Sequence, residues 1–150
     1  MPRVNHVKAC RKAQGPCPKC GTAINPGDPY LWWEFRYGGK HVRCTNCPPR
    51  ASELTQSAFL AMIYDAQDFQ ASITENDQIQ DLIDMIAEAR DLAQESLDNM
   101  PEQLQEGDTG IMLQERVEAC EQWISELEDL IDNDEVDWHD ELAAIDYQGE

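Results

Sequence analysis

The chain has 150 residues, 41% of them hydrophobic, and a formal net charge of −19, enough for one domain or a small module with a helical extension. It holds no run of about 18 apolar residues, and Met1 to Lys8 lack the apolar core of a secretory signal. A cytoplasmic protein with no membrane association is therefore expected.

Charge and composition change along the chain. Residues 1–50 carry nine Lys/Arg against Asp28 and Glu34, a balance of +7, whereas residues 51–150 carry Arg90 and Arg116 against 28 acids, a balance of −26. Seven of the eight prolines, five of the eight glycines and five of the six cysteines also fall in residues 1–50. That is the composition of a turn-rich module held by metal. Two domains are expected, a basic zinc-binding module over 1–50 and an acidic helical domain over 51–150, with different partners.

In chain order, Cys17-Pro-Lys-Cys20 comes first among the motifs. Pro29 to Tyr37 is aromatic and extended in character, and Gly38-Gly39 then predicts a two-residue hairpin turn, since both glycines can take positive φ. That register pairs Tyr37 with Lys40, Arg36 with His41, Phe35 with Val42 and Glu34 with Arg43. It places Trp33, Phe35, Val42 and Cys44 toward the zinc, and Trp32, Glu34, Arg36, His41 and Arg43 toward solvent. Ser52, after Pro48-Pro49-Arg50, is the expected N-cap of a helix running to about Ala71, with a break near Thr74–Asn76.

Beyond the break, Ile79, Ile83, Ile86, Ala93, Leu97 and Met100 form nearly a heptad seam. Leu113, Val117, Cys120, Ile124, Leu127 and Ile131 form a second, so Cys120 reads as a buried thiol. Met100-Pro101 and Glu106 to Gly110 mark the connection between them. The fold expected is α+β and mostly α: a small N-terminal zinc finger with a β-hairpin, then an acidic antiparallel helical hairpin of coiled-coil type. The seams can close within one chain or between two, which leaves a homodimer open.

Cys17-x-x-Cys20 and Cys44-x-x-Cys47, with 23 residues between the pairs, have the spacing of a tetrathiolate zinc site. Two-residue spacing lets a tight turn aim both sulfurs at one ion, and a module this small needs the metal to fold. Disulfides lack an oxidising compartment, and a redox Cys-x-x-Cys lacks a βαβ setting. Cys10, with His6 four residues before it, reads as incidental.

Cys17-Pro-Lys-Cys20-Gly21, Ile24, Gly27-Asp28, Tyr30 and His41-Val-Arg-Cys44 resemble the Cys-x-x-Cys … His-x-x-Cys pattern of LIM-like and PARP-like treble-clef fingers, close kin of the zinc ribbons. The resemblance spans Cys17 to Cys44 and implies His41 in place of Cys47 as fourth ligand. The four-cysteine set is favoured by the hairpin, where His41 and Cys44 fall on opposite faces. Trp32 to Arg43 and Arg50-Ala-Ser-Glu-Leu-Thr55 are similar to small zinc-finger proteins of tailed bacteriophages. That similarity implies no activity, and a host cytoplasm as location.

Two functions fit these residues. In one, the head binds DNA or RNA through Lys19, Trp32, Arg36, Lys40, Arg43 and Arg50, cations for phosphate and an aromatic for base stacking. In the other, the acidic helices bind a basic protein surface or mimic nucleic acid, the run Glu126 to Asp137 presenting carboxylates as a phosphate backbone does. The acidic arm folding back onto the head would add autoinhibition. An enzyme is not expected: there is no Gly-x-Ser-x-Gly, P-loop or His-Glu-x-x-His motif, and a closed tetrathiolate leaves no position for water. Trp138-His139-Asp140 reads as a surface or tail-docking cluster.

Overall fold

The computed structural model describes residues 1–133 and 137–149, and the chain divides into two compact units, Met1–Gln56 and Ser57–Glu150. The architecture is α+β. In the first unit, β1 (Asn5–Val7), β4 (Tyr30–Glu34) and β5 (Lys40–Cys44) form an antiparallel sheet in the order β1-β4-β5. Two shorter strands, β2 (Gly15–Pro16) and β3 (Ala23–Ile24), pair as a small ribbon.

The β4–β5 register differs from the expected one. Glu34 pairs with Lys40, Trp33 with His41, Trp32 with Val42, Leu31 with Arg43 and Tyr30 with Cys44. The connection is the five-residue loop Phe35–Gly39, closed by the Gly38 N–H donating to the Phe35 carbonyl at 3.3 Å. A two-residue turn of the primed kind needs positive φ, and neither Gly38 nor Gly39 has it. The registers differ by an odd number, so the partners on each face change. Trp32, not Trp33, joins Val42, Tyr30 and Cys44 on the side that packs against Cys10, Cys17 and Ile24. Trp33 lies on the other side with Leu31, Arg43 and His41; its indole stacks on the imidazole with 5.3 Å between centroids and 10° between planes.

The expected N-cap is also displaced. Residues Ala51–Leu54 form a 3-10 turn, Thr55 is extended (φ −126°, ψ 148°), and the first α-helix opens five residues later than expected. Its cap is Ser57, whose hydroxyl accepts from the Leu60 N–H at 3.3 Å. The turn is tied back to the sheet instead: Glu53 bridges the Arg43 guanidinium at 2.5 Å and accepts from the Arg50 N–H at 2.9 Å.

The second unit comprises α1 (Ala58–Ser72), α2 (Gln78–Asp98), α3 (Glu102–Gln105), α4 (Asp108–Asp132) and α5 (Trp138–Ala144). The break after α1 falls where it was expected, and the Gln78 side chain holds it by accepting from the Thr74 and Glu75 N–H groups. The α2 helix packs against both α1 and α4. Ile79, Ile83, Ile86 and Ala93 are buried with Leu113, Val117, Cys120, Ile124 and Leu127, while Leu97, Met100 and Ile131 pack at the margin. Gln70 links three elements: it accepts from the Trp123 indole N–H and donates to the Leu142 and Ile145 carbonyls. At the α3–α4 joint a Cβ on Gly110 would collide with the Gln105 carbonyl, so only glycine fits. No helix among the described residues is long and apolar enough to cross a membrane.

Candidate metal centre

The first cysteine pair sits on the turn of the β2–β3 ribbon. The Cys17 N–H donates to the Thr22 carbonyl and the Gly21 N–H to the Cys17 carbonyl, each at 2.8 Å. Gly21 takes φ 74°, the left-handed conformation that lets the chain turn back immediately after Cys20. The second pair hangs from the end of β5, where the Cys47 N–H donates to the Cys44 carbonyl at 3.1 Å. Two tight turns from opposite sides of the unit thus bring four sulfurs together.

The Sγ atoms of Cys17, Cys20, Cys44 and Cys47 all lie within 4.8 Å of one another, and Cys20 and Cys44 are 3.5 Å apart. All four are free thiols. Tetrahedral coordination with metal–sulfur bonds of about 2.3 Å puts neighbouring sulfurs about 3.8 Å apart, whereas a disulfide needs about 2.05 Å. The cluster has the dimensions of a ligand set. Cys17 and Cys44 are buried, Cys47 is half-buried and Cys20 is exposed, so one flank meets solvent.

The electrostatics fit a cation. Burial pushes the Cys17 thiol up, but the backbone at Cys44, Cys20 and Lys19 overrides it and brings the thiol down to about 6. Cys47 goes the other way: its hydrogen bond with Cys44, then burial, then the charge of Cys20 and Cys44 push it up to about 12. Four thiolates crowded at this distance would repel one another, and a central cation would let all four ionise. The cysteines can therefore hold a metal ion, in a small β module of zinc-ribbon-like character.

His41 stands apart from this cluster. It is exposed, stacked on Trp33 and met edge-on by Phe35 at 5.6 Å, on the face of β5 opposite Cys44. Cys10 is buried in the same small core as Cys17 and Cys44, its thiol directed at the Lys12 carbonyl and accepting from Gln14. It does not join the four. Cys120 is fully buried on α4, and burial pushes its thiol up to about 11.

The remaining predicted site residues separate into groups. Lys19 is exposed between Cys17 and Cys20. Lys40 reaches over the half-buried Trp32, its Nζ 4.7 Å from that ring and 5.9 Å from Tyr30. Arg36 is exposed with its guanidinium 5.3 Å over Tyr37. Arg43 is held by Glu53 and lies 5.7 Å over Trp33, with 15% of its side chain exposed. Arg50 is more open, its Nε 4.0 Å from Glu53. Burial raises the Glu53 carboxyl, but Arg50 and Arg43 more than offset it and hold the group below the ordinary glutamate range.

Sequence reasoning missed Tyr37, which is 81% exposed at the loop tip, because the two-residue turn had placed it in a strand. It also missed Glu53; the signal was a lone acid amid Arg43 and Arg50. Of the acidic run from Glu126 to Asp137, residues Asp134, Glu135 and Val136 lie outside the described residues. Trp138 and His139 stack on each other at 3.7 Å in α5, which Asp137 caps.

No family model matches the chain, and no curated protein or solved structure compared with it is significantly similar.

Proposed function

We propose that the chain is a non-enzymatic zinc-finger protein that binds nucleic acid through its basic first unit. The acidic helices, packed as an antiparallel hairpin, serve partner binding or self-association. Four soft thiolates in a tetrahedral arrangement favour zinc, with no coordination position left for water, so the ion's role is to hold the fold. The observation that carries the reading is the state of the cations. Arg3, Lys8, Arg11, Lys12, Lys19, Arg36 and Lys40 have no carboxylate at ion-pair distance among the described residues. Glu53 is taken by Arg43 and Arg50, and Asp28 accepts from the Asn25 N–H. Lys40 faces Glu34 across the strands and Lys19 acts on Glu53 through space; the remaining surface cations are placed to attract phosphate and release counterions on binding it. Electrophoretic mobility shifts on single- and double-stranded DNA and RNA, with zinc present and with zinc chelated, test this. A zinc-dependent shift is expected, and the absence of any shift ends the reading.

A second reading is supported by the helical unit. Of its two arginines, Arg90 is bound to Asp91 at 2.8 Å and Arg116 lies 4.7 Å over Phe59, leaving a surface rich in unbalanced carboxylates. Such a surface suits a basic protein partner, or the protein's own head as a competitor for nucleic acid. Comparing residues 1–56 with the full chain separates these: autoinhibition requires much tighter binding by the fragment.

A further inference from the structure

The β4–β5 loop presents one aromatic ring to solvent among its exposed residues Arg36 to Gly39. Tyr37 is 81% exposed, and the metal cluster and the apolar core both form without it. The loop holds it in place. Gly38 donates to the Phe35 carbonyl, Phe35 packs edge-on against His41, and a Cβ at Gly38 would press on Phe35 at 3.3 Å and on the Gln56 side chain at 3.4 Å. The Arg36 guanidinium covers one side of the Tyr37 ring at 5.3 Å.

Cations and aromatics continue away from the tip. Lys40 spans the rings of Trp32 and Tyr30. Tyr30 in turn lines an open depression with Arg11, Lys12 and Gln14, which has no acidic residue in its wall. Trp32 is half-buried, which makes it a poor stacking platform; the exposed Tyr37 is a better one.

Resting on the nucleic-acid reading above, we propose that this surface binds single strands. An unpaired base stacks on Tyr37 against Arg36, and the flanking phosphates contact Lys40, Arg11 and Lys12. In a duplex the faces of the bases are covered by their neighbours, so a protruding ring finds one only where the strand is open. Aromatic stacking of this kind tolerates any base, since each has a π-face.

The test is fluorescence anisotropy with the zinc-loaded full chain and one labelled oligonucleotide, offered as single-stranded DNA, single-stranded RNA and duplex DNA. The single strands should bind more tightly than the duplex. Tyr37→Ala should weaken single-strand binding by about tenfold or more while Tyr37→Phe keeps it, because the ring and not the hydroxyl stacks. Arg11→Ala with Lys12→Ala should flatten the salt dependence. Zinc content of each variant controls for folding. Binding of single strands unaffected by Tyr37→Ala, or a preference for duplex, overturns this proposal and leaves the nucleic-acid reading standing. Binding of none of the three by the wild-type chain overturns both.

Discussion

At the level of single residues, Cys47 and His41 make opposite predictions. Cys47 lies in the sulfur cluster, while the His41 ring is committed to Trp33 on the far side of β5. Cys47→Ala should therefore lose tightly bound metal and His41→Ala should keep it, read as metal per chain by elemental analysis after dialysis. Tyr147 offers a second residue-level test. Its hydroxyl is buried with no partner among the described residues, and burial, reinforced by Cys120, pushes its pKa up to about 12. Cys120 is raised to about 11. Both groups keep their protons longer folded than unfolded, so the stability they contribute is complete below about pH 9 and is lost as pH rises from 9 to 12. Urea denaturation followed by helical circular dichroism should show that loss. Tyr147→Phe should make it shallower above pH 10 and, by removing an unsatisfied hydroxyl, should gain about 1 kcal/mol at neutral pH.

Among elements, the start of α1 shows how far a sequence signal reaches. Ser52 and Ser57 are both plausible caps by residue type, and a cap hydrogen bond is too local to choose between them. The choice is made by Glu53, whose bonds to Arg43 and Arg50 commit the Ala51–Leu54 turn to the sheet and delay the helix to Ser57. Ser57→Ala should cost about 1 kcal/mol, while replacing Ser52, whose hydroxyl is buried without a partner among the described residues, by Ala should be neutral or slightly stabilising. Thermal denaturation of the two variants decides it. Gln70 is the larger contributor. Gln70→Ala strands the Trp123 indole N–H and the Ile145 carbonyl, while the Leu142 carbonyl keeps the Ile145 N–H, and a loss of about 2–3 kcal/mol is expected in the same measurement. The seams of α2 and α4 were legible because helical burial repeats locally. The hairpin register was not: it follows from Trp33 stacking on His41 and Trp32 meeting Val42 across strands, contacts that no periodicity within one strand encodes. The cysteine pairs could be read because Cys-x-x-Cys spacing fixes ligand geometry within a single turn, whereas the exposure of Tyr37 depended on that register.

Across the whole molecule, the two units draw their stability from different sources. The first unit buries Cys10, Cys17, Ile24, Tyr30 and Cys44 on one face of the sheet and Leu31 and Trp33 on the other, a marginal core for 56 residues, and the four clustered sulfurs tie its turns together. The helical unit has a continuous core from Phe59 to Leu142. Chelation should therefore abolish the near-ultraviolet signal of Trp32 and Trp33 while leaving most of the helical far-ultraviolet signal, with a loss on the order of 10 kcal/mol confined to the first unit. That confinement bears on turnover. A chain deprived of metal would present a proteolytic machine with an unstructured, cationic segment attached to a folded acidic body, an arrangement that favours degradation. The four sulfurs would then set how long each copy persists as well as its shape, so that abundance in a cell would follow the supply of the ion.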